Sequence, residues 1–202
     1  MLRGIGIVGV CLLAVVSIAT AQEGKMDVAV SGIAVLTRDS SGNGIDQAVT
    51  NSGGFLASFR YQLRRNAALE LNYGRTRNSQ IYTNSTAFTF QEQQANVHEL
   101  TAAYVYQLNR GKKLNPFVLG GGGFLLFRPI TTSTHSLVDP QNDTEGTFLY
   151  GLGANYRLTN ALGVRVQFRG LIYKSPDFGV NAASTGAWAL TGEPSIGLTL
   201  RF

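Results

Sequence analysis

Eight segments of this chain alternate apolar and polar residues with a period of two, and the connections between them alternate strictly between long and short. The clearest segment, about 53–64, sets Phe55, Ala57, Phe59, Tyr61 and Leu63 on one face, with Leu56, Ser58, Arg60, Gln62 and Arg64 on the other. The same period runs through about 26–38, 67–78, 96–108, 116–128, 146–158, 161–173 and 188–202. Such alternation is that of a β-strand whose two faces meet different surroundings. Long connections fall at 39–52, 79–95, 129–145 and 174–187, and short ones at 65–66, 109–115 and 159–160. An antiparallel up-and-down arrangement puts all the long connections at one end and all the short ones at the other. Segments of about 10–13 residues also suit the ~9–11 residues that a tilted strand needs to cross a bilayer.

Alternation alone does not say which face looks inward. A soluble lipocalin-like barrel puts its apolar face inside; a membrane barrel reverses it. Composition favours the second. Charged residues make up 14% of the chain, against ~25% in soluble domains. The four lysines (Lys25, Lys112, Lys113, Lys174) sit at segment ends or turns, and the polar faces carry Gly, Ser, Thr, Gln and Arg instead. Aromatic residues gather toward the segment ends, Tyr61, Tyr106, Tyr156 and Phe202 on one side, Tyr73, Phe127, Phe148 and Trp188 on the other, as interfacial girdles do. The net charge of +5 is dispersed, which argues against nucleic acid as a partner.

The start of the chain reads as a secretory signal peptide over residues 1–21. Arg3 precedes the apolar run Ile5 to Ile18, and Ala19-Thr20-Ala21 supplies a small-x-small cleavage site. The single cysteine, Cys11, lies inside it, so residues 22–202 form one thiol-free barrel domain. At the other end, "GLTLRF" alternates apolar residues up to a final phenylalanine. Together, the signal, the eight strands and this last strand resemble the OmpA/OmpX-like family of eight-stranded outer-membrane β-barrels. The resemblance implies an all-β transmembrane barrel in the outer membrane, with four long extracellular loops and three short periplasmic turns, in contact with outer-membrane lipid. It also implies that Gly197, Leu198, Leu200 and Phe202 are read by the barrel-assembly machinery during biogenesis.

An eight-stranded barrel is just wide enough for side chains to fill, so inward charges must pair. The hairpin register sets Arg169 opposite Glu193, and Glu70 opposite or diagonal to Arg60 and Arg64. With Arg165, these six residues form the expected interior charge network, a plug in place of an open pore. The function that follows is non-enzymatic, structural or surface-interacting, with no cofactor and no metal. Loop 79–95, which interleaves aromatics with Thr, Ser and Gln, offers a strand edge to a surface partner.

Three other patterns are weaker. The run Gly120 to Gly123 lacks the Gly-Lys-Ser/Thr ending of a phosphate loop and reads as a bent or closely packed strand. "DSSGNG", Asp39 to Gly44, begins like a calcium loop, yet Thr50 stands where the bidentate Glu belongs, so a Gly/Asn turn is the simpler reading. Some barrels of this architecture are lipid A deacylases or acyltransferases using Ser, His and an acidic residue. His135, Ser136 and Glu145 supply those types, but adjacent residues on a strand point to opposite faces, which also separates His98 from Glu99.

Overall fold

The structure, a computed structural model, describes residues 25–84, 89–130, 137, 139–180 and 183–202. The predicted signal peptide 1–21 lies outside these residues, as do His135 and Ser136. Ten strands form among the described residues: Met26–Thr37 (β1), Ser40–Gly42 (β2), Ile45–Val49 (β3), Ser52–Arg64 (β4), Ala67–Asn84 (β5), Thr89–Gln107 (β6), Leu114–Ile130 (β7), Asp143–Arg157 (β8), Leu162–Lys174 (β9) and Trp188–Arg201 (β10). Eight of them close on themselves in the antiparallel cycle β1-β4-β5-β6-β7-β8-β9-β10-β1. Closure leaves the wall without a free sheet edge, the condition for strands to cross a bilayer. The seam between first and last strands runs from Thr37↔Thr191 to Asp27↔Arg201 and is finished by two Met26–Phe202 backbone hydrogen bonds, 2.9 and 3.3 Å.

The polar faces point inward. Arg169, Arg60 and Arg165 are 0%, 1% and 1% exposed, whereas Trp188, Leu152 and Ile196 are 69%, 62% and 62% exposed. A wall of bare apolar side chains around a charged interior is the inverse of a soluble barrel, and only lipid covers such a wall favourably. The soluble lipocalin-like alternative falls on this observation. Among the predicted girdle aromatics, Phe127 does not belong: it is 1% exposed and faces the lumen.

Where the sequence predicts a loop over 79–95, the structure continues the strands. β5 and β6 stay in register from Asn78↔Ala95 up to Asn84↔Thr89. Beyond the apolar wall both faces of a strand meet polar surroundings, so the alternation that marks a strand fades while the backbone pairing persists. The predicted loop 39–52 likewise contains the hairpin β2–β3. Its turn is Asn43-Gly44, with φ of 53° and 74°, the left-handed pair that a two-residue type I′ hairpin demands. β3 then pairs with the upper part of β5, from Ile45↔Asn84 to Val49↔Gln80. The calcium-like stretch is thus a hairpin, and among the described residues no group of three His, Cys, Asp or Glu is placed to hold a metal ion.

The glycine run lies where β7 is squeezed between its neighbours. A Cβ on Gly121 or Gly123 would overlap the carbonyl oxygen of Ala102 or Leu100 on β6, and one on Gly122 would sit 2.8 Å from the Thr147 oxygen on β8. Only a residue without a side chain allows three strands to approach so closely here.

Candidate functional site in the barrel interior

The interior has two storeys. The one nearer the short turns is ionic. Arg60 on β4 faces Glu70 on β5 in register and donates from Nε and Nη2 to Glu70 Oε2 at 2.8 and 2.6 Å. Arg165 on β9 reaches across the lumen: Nη1 to Glu70 Oε2 at 3.1 Å, Nη2 to Asp27 Oδ1 at 2.6 Å, Nε to Asn155 Oδ1 at 2.8 Å. The Phe117 ring lies under both guanidiniums, 4.4 Å from Arg60 Cζ and 5.7 Å from Arg165 Cζ. Higher up, Arg169 donates to both oxygens of Glu99, at 2.9 and 2.7 Å, and also to Glu193. Such two-pronged guanidinium–carboxylate pairing is among the strongest geometries a side chain can offer. It joins β9 to β6, strands that are not neighbours in the sheet.

Of the predicted network, Arg60, Glu70, Arg165, Arg169 and Glu193 come together in this way. Arg64 does not. It is exposed at the end of β4, past a register shift between Gln62 and Arg64 that turns it out of the lumen, and it makes no ion pair among the described residues. The position it would have filled is taken by neutral amides, with Gln107 donating to Gln62 and Asn115 to Gln107, at 2.8 and 2.7 Å. Asp27 and Glu99 are partners that sequence reasoning missed. Hairpin registers relate only adjacent strands, whereas Glu99 and Arg169 meet across the barrel.

The other storey is apolar. Leu125, Phe127, Leu137, Leu171, Tyr173 and Phe178 are buried together. Phe127 packs against Tyr173 with centroids 5.8 Å apart, and edge-on against Phe178 at 6.4 Å and 89°. Phe178 comes from the segment between β9 and β10 and is wholly buried, although its φ is 54°. A bulky residue in the left-handed region costs roughly 1–2 kcal/mol, so the surroundings must hold it there. They do so with Asp143 Oδ2, which accepts the Asp177 and Phe178 amides at 2.9 and 3.3 Å, and with the Gln141 amide, which donates to the Phe178 carbonyl at 3.0 Å. The β2–β3 hairpin docks on the same segment: Asn43 Nδ2 donates to the Ser184 carbonyl at 3.1 Å, and Ser175 bonds Gln47. Tyr82 on β5 donates to the Pro176 carbonyl at 2.8 Å, and burial pushes its hydroxyl pKa up, so it remains a donor at any ordinary pH. Between the storeys lies a cavity of about 20 Å³ bounded by Glu99, Glu193, Asn78, Tyr173 and Thr191, room for about one water.

Of the deacylase-like candidates, the structure describes the neighbours His98 and Glu99 and not His135 or Ser136. His98 and Glu99 point to opposite faces: Glu99 binds Arg169, while His98 Nδ1 lies 2.9 Å from the Tyr73 hydroxyl on the outside.

A family model described as the outer membrane protein beta-barrel domain matches residues 8–202. The chain belongs to this family. No curated protein matches it by sequence. Among solved structures, the outer membrane protein OprG from Pseudomonas aeruginosa is similar at 14% identity, covering 90% of this chain and 97% of that one, with a TM-score of 0.63. Ail, the attachment invasion locus protein of Yersinia pestis, solved with the heparin analogue sucrose octasulfate, gives 15%, 90%, 100% and 0.54. Neisserial surface protein A gives 16%, 87%, 97% and 0.51. At such identities the likeness is one of fold. As an outer membrane β-barrel, the protein resides in the outer membrane with its apolar wall in lipid.

Proposed function

We propose that this outer-membrane barrel is non-enzymatic, with an interior closed by side chains, and that it serves the envelope as a stable platform displaying extracellular hairpins for surface contacts. The observation that carries this reading is the set of ion pairs Arg165–Glu70 and Arg169–Glu99, which span the lumen from strand to non-adjacent strand. Buried charges so paired are costly to separate, because either partner left alone keeps its desolvation penalty. The Phe178 cap closes the extracellular end a second time. Residues 22–202 act as one domain after removal of the signal peptide 1–21.

The surface partner is a protein strand added to the hairpin of β5 and β6. The β5 edge already pairs with β3, so the partner engages β6. During biogenesis the barrel-assembly machinery engages β10 through Gly197, Leu198, Leu200 and Phe202. Gly197 suits that closing strand, since a Cβ there would overlap Ser31 and the Val30 oxygen on β1. Purified protein incubated with lipid A should leave its acylation unchanged by mass spectrometry. Loss of an acyl chain with wild-type protein but not with His135→Ala would replace this reading with that of a lipid-modifying enzyme.

A further inference from the structure

One sector of the outer wall carries cations on the face that meets lipid. On β5 the outward column runs Leu69, Leu71, Tyr73, Arg75, Arg77, and all five side chains are exposed. Register sets Arg75 opposite His98 on β6. It sets Asn96, the next outward residue of β6, between Arg77 on β5 and Arg128 on β7. Arg128 is exposed on the same face as Phe124, two outward positions below it. Arg77 Nε donates to Asn96 Oδ1 at 3.1 Å, and the Arg75 and Arg128 charges both reach the His98 ring. None of these arginines has an ion-pair partner among the described residues. The nearest carboxylate on this face of β5, β6 or β7 is Glu92, beyond Asn96 by about 13 Å along the strand. At the other end of the same strands the outward residues Leu69, Tyr106 and Leu114 carry no charge.

Directly below this patch the same face has a groove of about 270 Å³. Val28, Phe59, Leu71, Tyr73 and Leu100 wall it, around the small side chain of Ala57. Ser58 and Asn72 also border it but turn their side chains into the lumen, where they bond each other at 2.7 Å. Register explains the shape. Ala57 stands between Val30 on β1 and Tyr73 on β5, so one short side chain leaves a gap among larger ones. Tyr73 joins the groove to the patch. Its ring walls the groove, its hydroxyl lies 2.9 Å from His98 Nδ1, and Arg75 is the next outward residue, about 7 Å along the strand. A ligand matching this face carries an anionic headgroup directly above an acyl chain.

We propose that this sector binds lipid A of the extracellular leaflet, with one phosphate on Arg75, Arg77 and Arg128 and one acyl chain in the groove over Ala57. Fixed cations with no carboxylate among them favour a phosphomonoester, which carries ~1.5–2 negative charges at neutral pH, over the single charge of a phosphodiester. The planar guanidinium also matches phosphate oxygens with two parallel hydrogen bonds. The choice of leaflet rests on the orientation taken in the proposed function. The patch and the groove do not, and a conducting lumen would leave both intact.

The test is native mass spectrometry of the full folded protein in neutral detergent with equal amounts of lipid A and phosphatidylglycerol. Wild type should retain lipid A in excess. Each cation near a headgroup is worth about fivefold, so Arg75→Gln/Arg128→Gln should lower lipid A retention by roughly 25-fold. That variant should keep the gel mobility of a folded barrel. Ala57→Phe, which fills the groove and spares the arginines, should lower retention as well. Lys112→Gln/Lys113→Gln, at the opposite end, should retain lipid A as wild type does. Equal retention of the two lipids by wild type, undiminished retention by Arg75→Gln/Arg128→Gln or Ala57→Phe, or displacement by an equal concentration of inorganic phosphate would each overturn the site. Orientation is read separately, by labelling Ser41→Cys in intact cells with an impermeant maleimide, which should react. No labelling would overturn both the leaflet and the proposed surface display, whereas failed retention by a protein that labels overturns the lipid site alone.

Discussion

Arg169→Ala is expected to lower the unfolding free energy by about 3–5 kcal/mol, because it strands two buried carboxylates at once. Glu99 and Glu193 both depend on this guanidinium, and neither has another cation within 4 Å among the described residues. The single variants on the acid side should differ from it. Glu193→Ala leaves Arg169 held by both oxygens of Glu99 and should cost less than Arg169→Ala. Glu99→Ala falls between, since Thr101, which donates to Glu99 at 2.7 Å, also loses its acceptor. Urea unfolding in lipid vesicles, followed by the fluorescence of the single tryptophan, Trp188, measures all three. In a double-mutant cycle, Arg169→Ala with Glu193→Ala should recover part of the summed loss. Strictly additive losses would show that the two residues do not act together.

Phe202→Asp should remove most of the protein from the outer membrane while leaving its secretion into the periplasm intact. Phe202 is bonded through its own backbone to Met26, at the last rung of the seam between β10 and β1. A carboxylate there would stand on the lipid-facing side beyond Leu198 and Leu200, where the closing strand must present an apolar edge and where a buried charge costs ~2–4 kcal/mol at depth and less near the interface. Cell fractionation with immunoblotting reads the outcome directly. Wild-type amounts of Phe202→Asp in the outer-membrane fraction would refute a role for this residue in assembly.

The wall of the barrel was legible because bilayer crossing imposes period-two chemistry on every spanning strand. Phe55, Ala57, Phe59, Tyr61 and Leu63 advertise β4 without any alignment. Neighbouring contacts followed from that reading, since a hairpin register places Glu193 against Arg169. Contacts across the lumen did not follow. Nothing in the spacing of Glu99 and Arg169 relates strands three apart around the barrel, and Asp27 sits at the start of β1 where the pattern has barely begun. Legibility also fell above the membrane, where Gln80, Tyr82, Gln93 and Ala95 face inward but their neighbours are as polar as they are. The strands there persist through pairing rather than pattern. Phe178 gave no signal at all, because a buried aromatic inside an irregular segment looks like any other loop residue until its partners Phe127 and Asp143 are known.

Electrical recording across a planar lipid bilayer tests the closed interior most directly. With Arg165 and Arg169 clamped across the lumen and Phe178 packed over it, inserted wild-type protein should pass no steady ionic current at moderate voltage, and Arg169→Ala should conduct only in brief, unstable openings. A steady open-channel conductance from wild-type protein, proportional to the number of inserted barrels, would contradict the account.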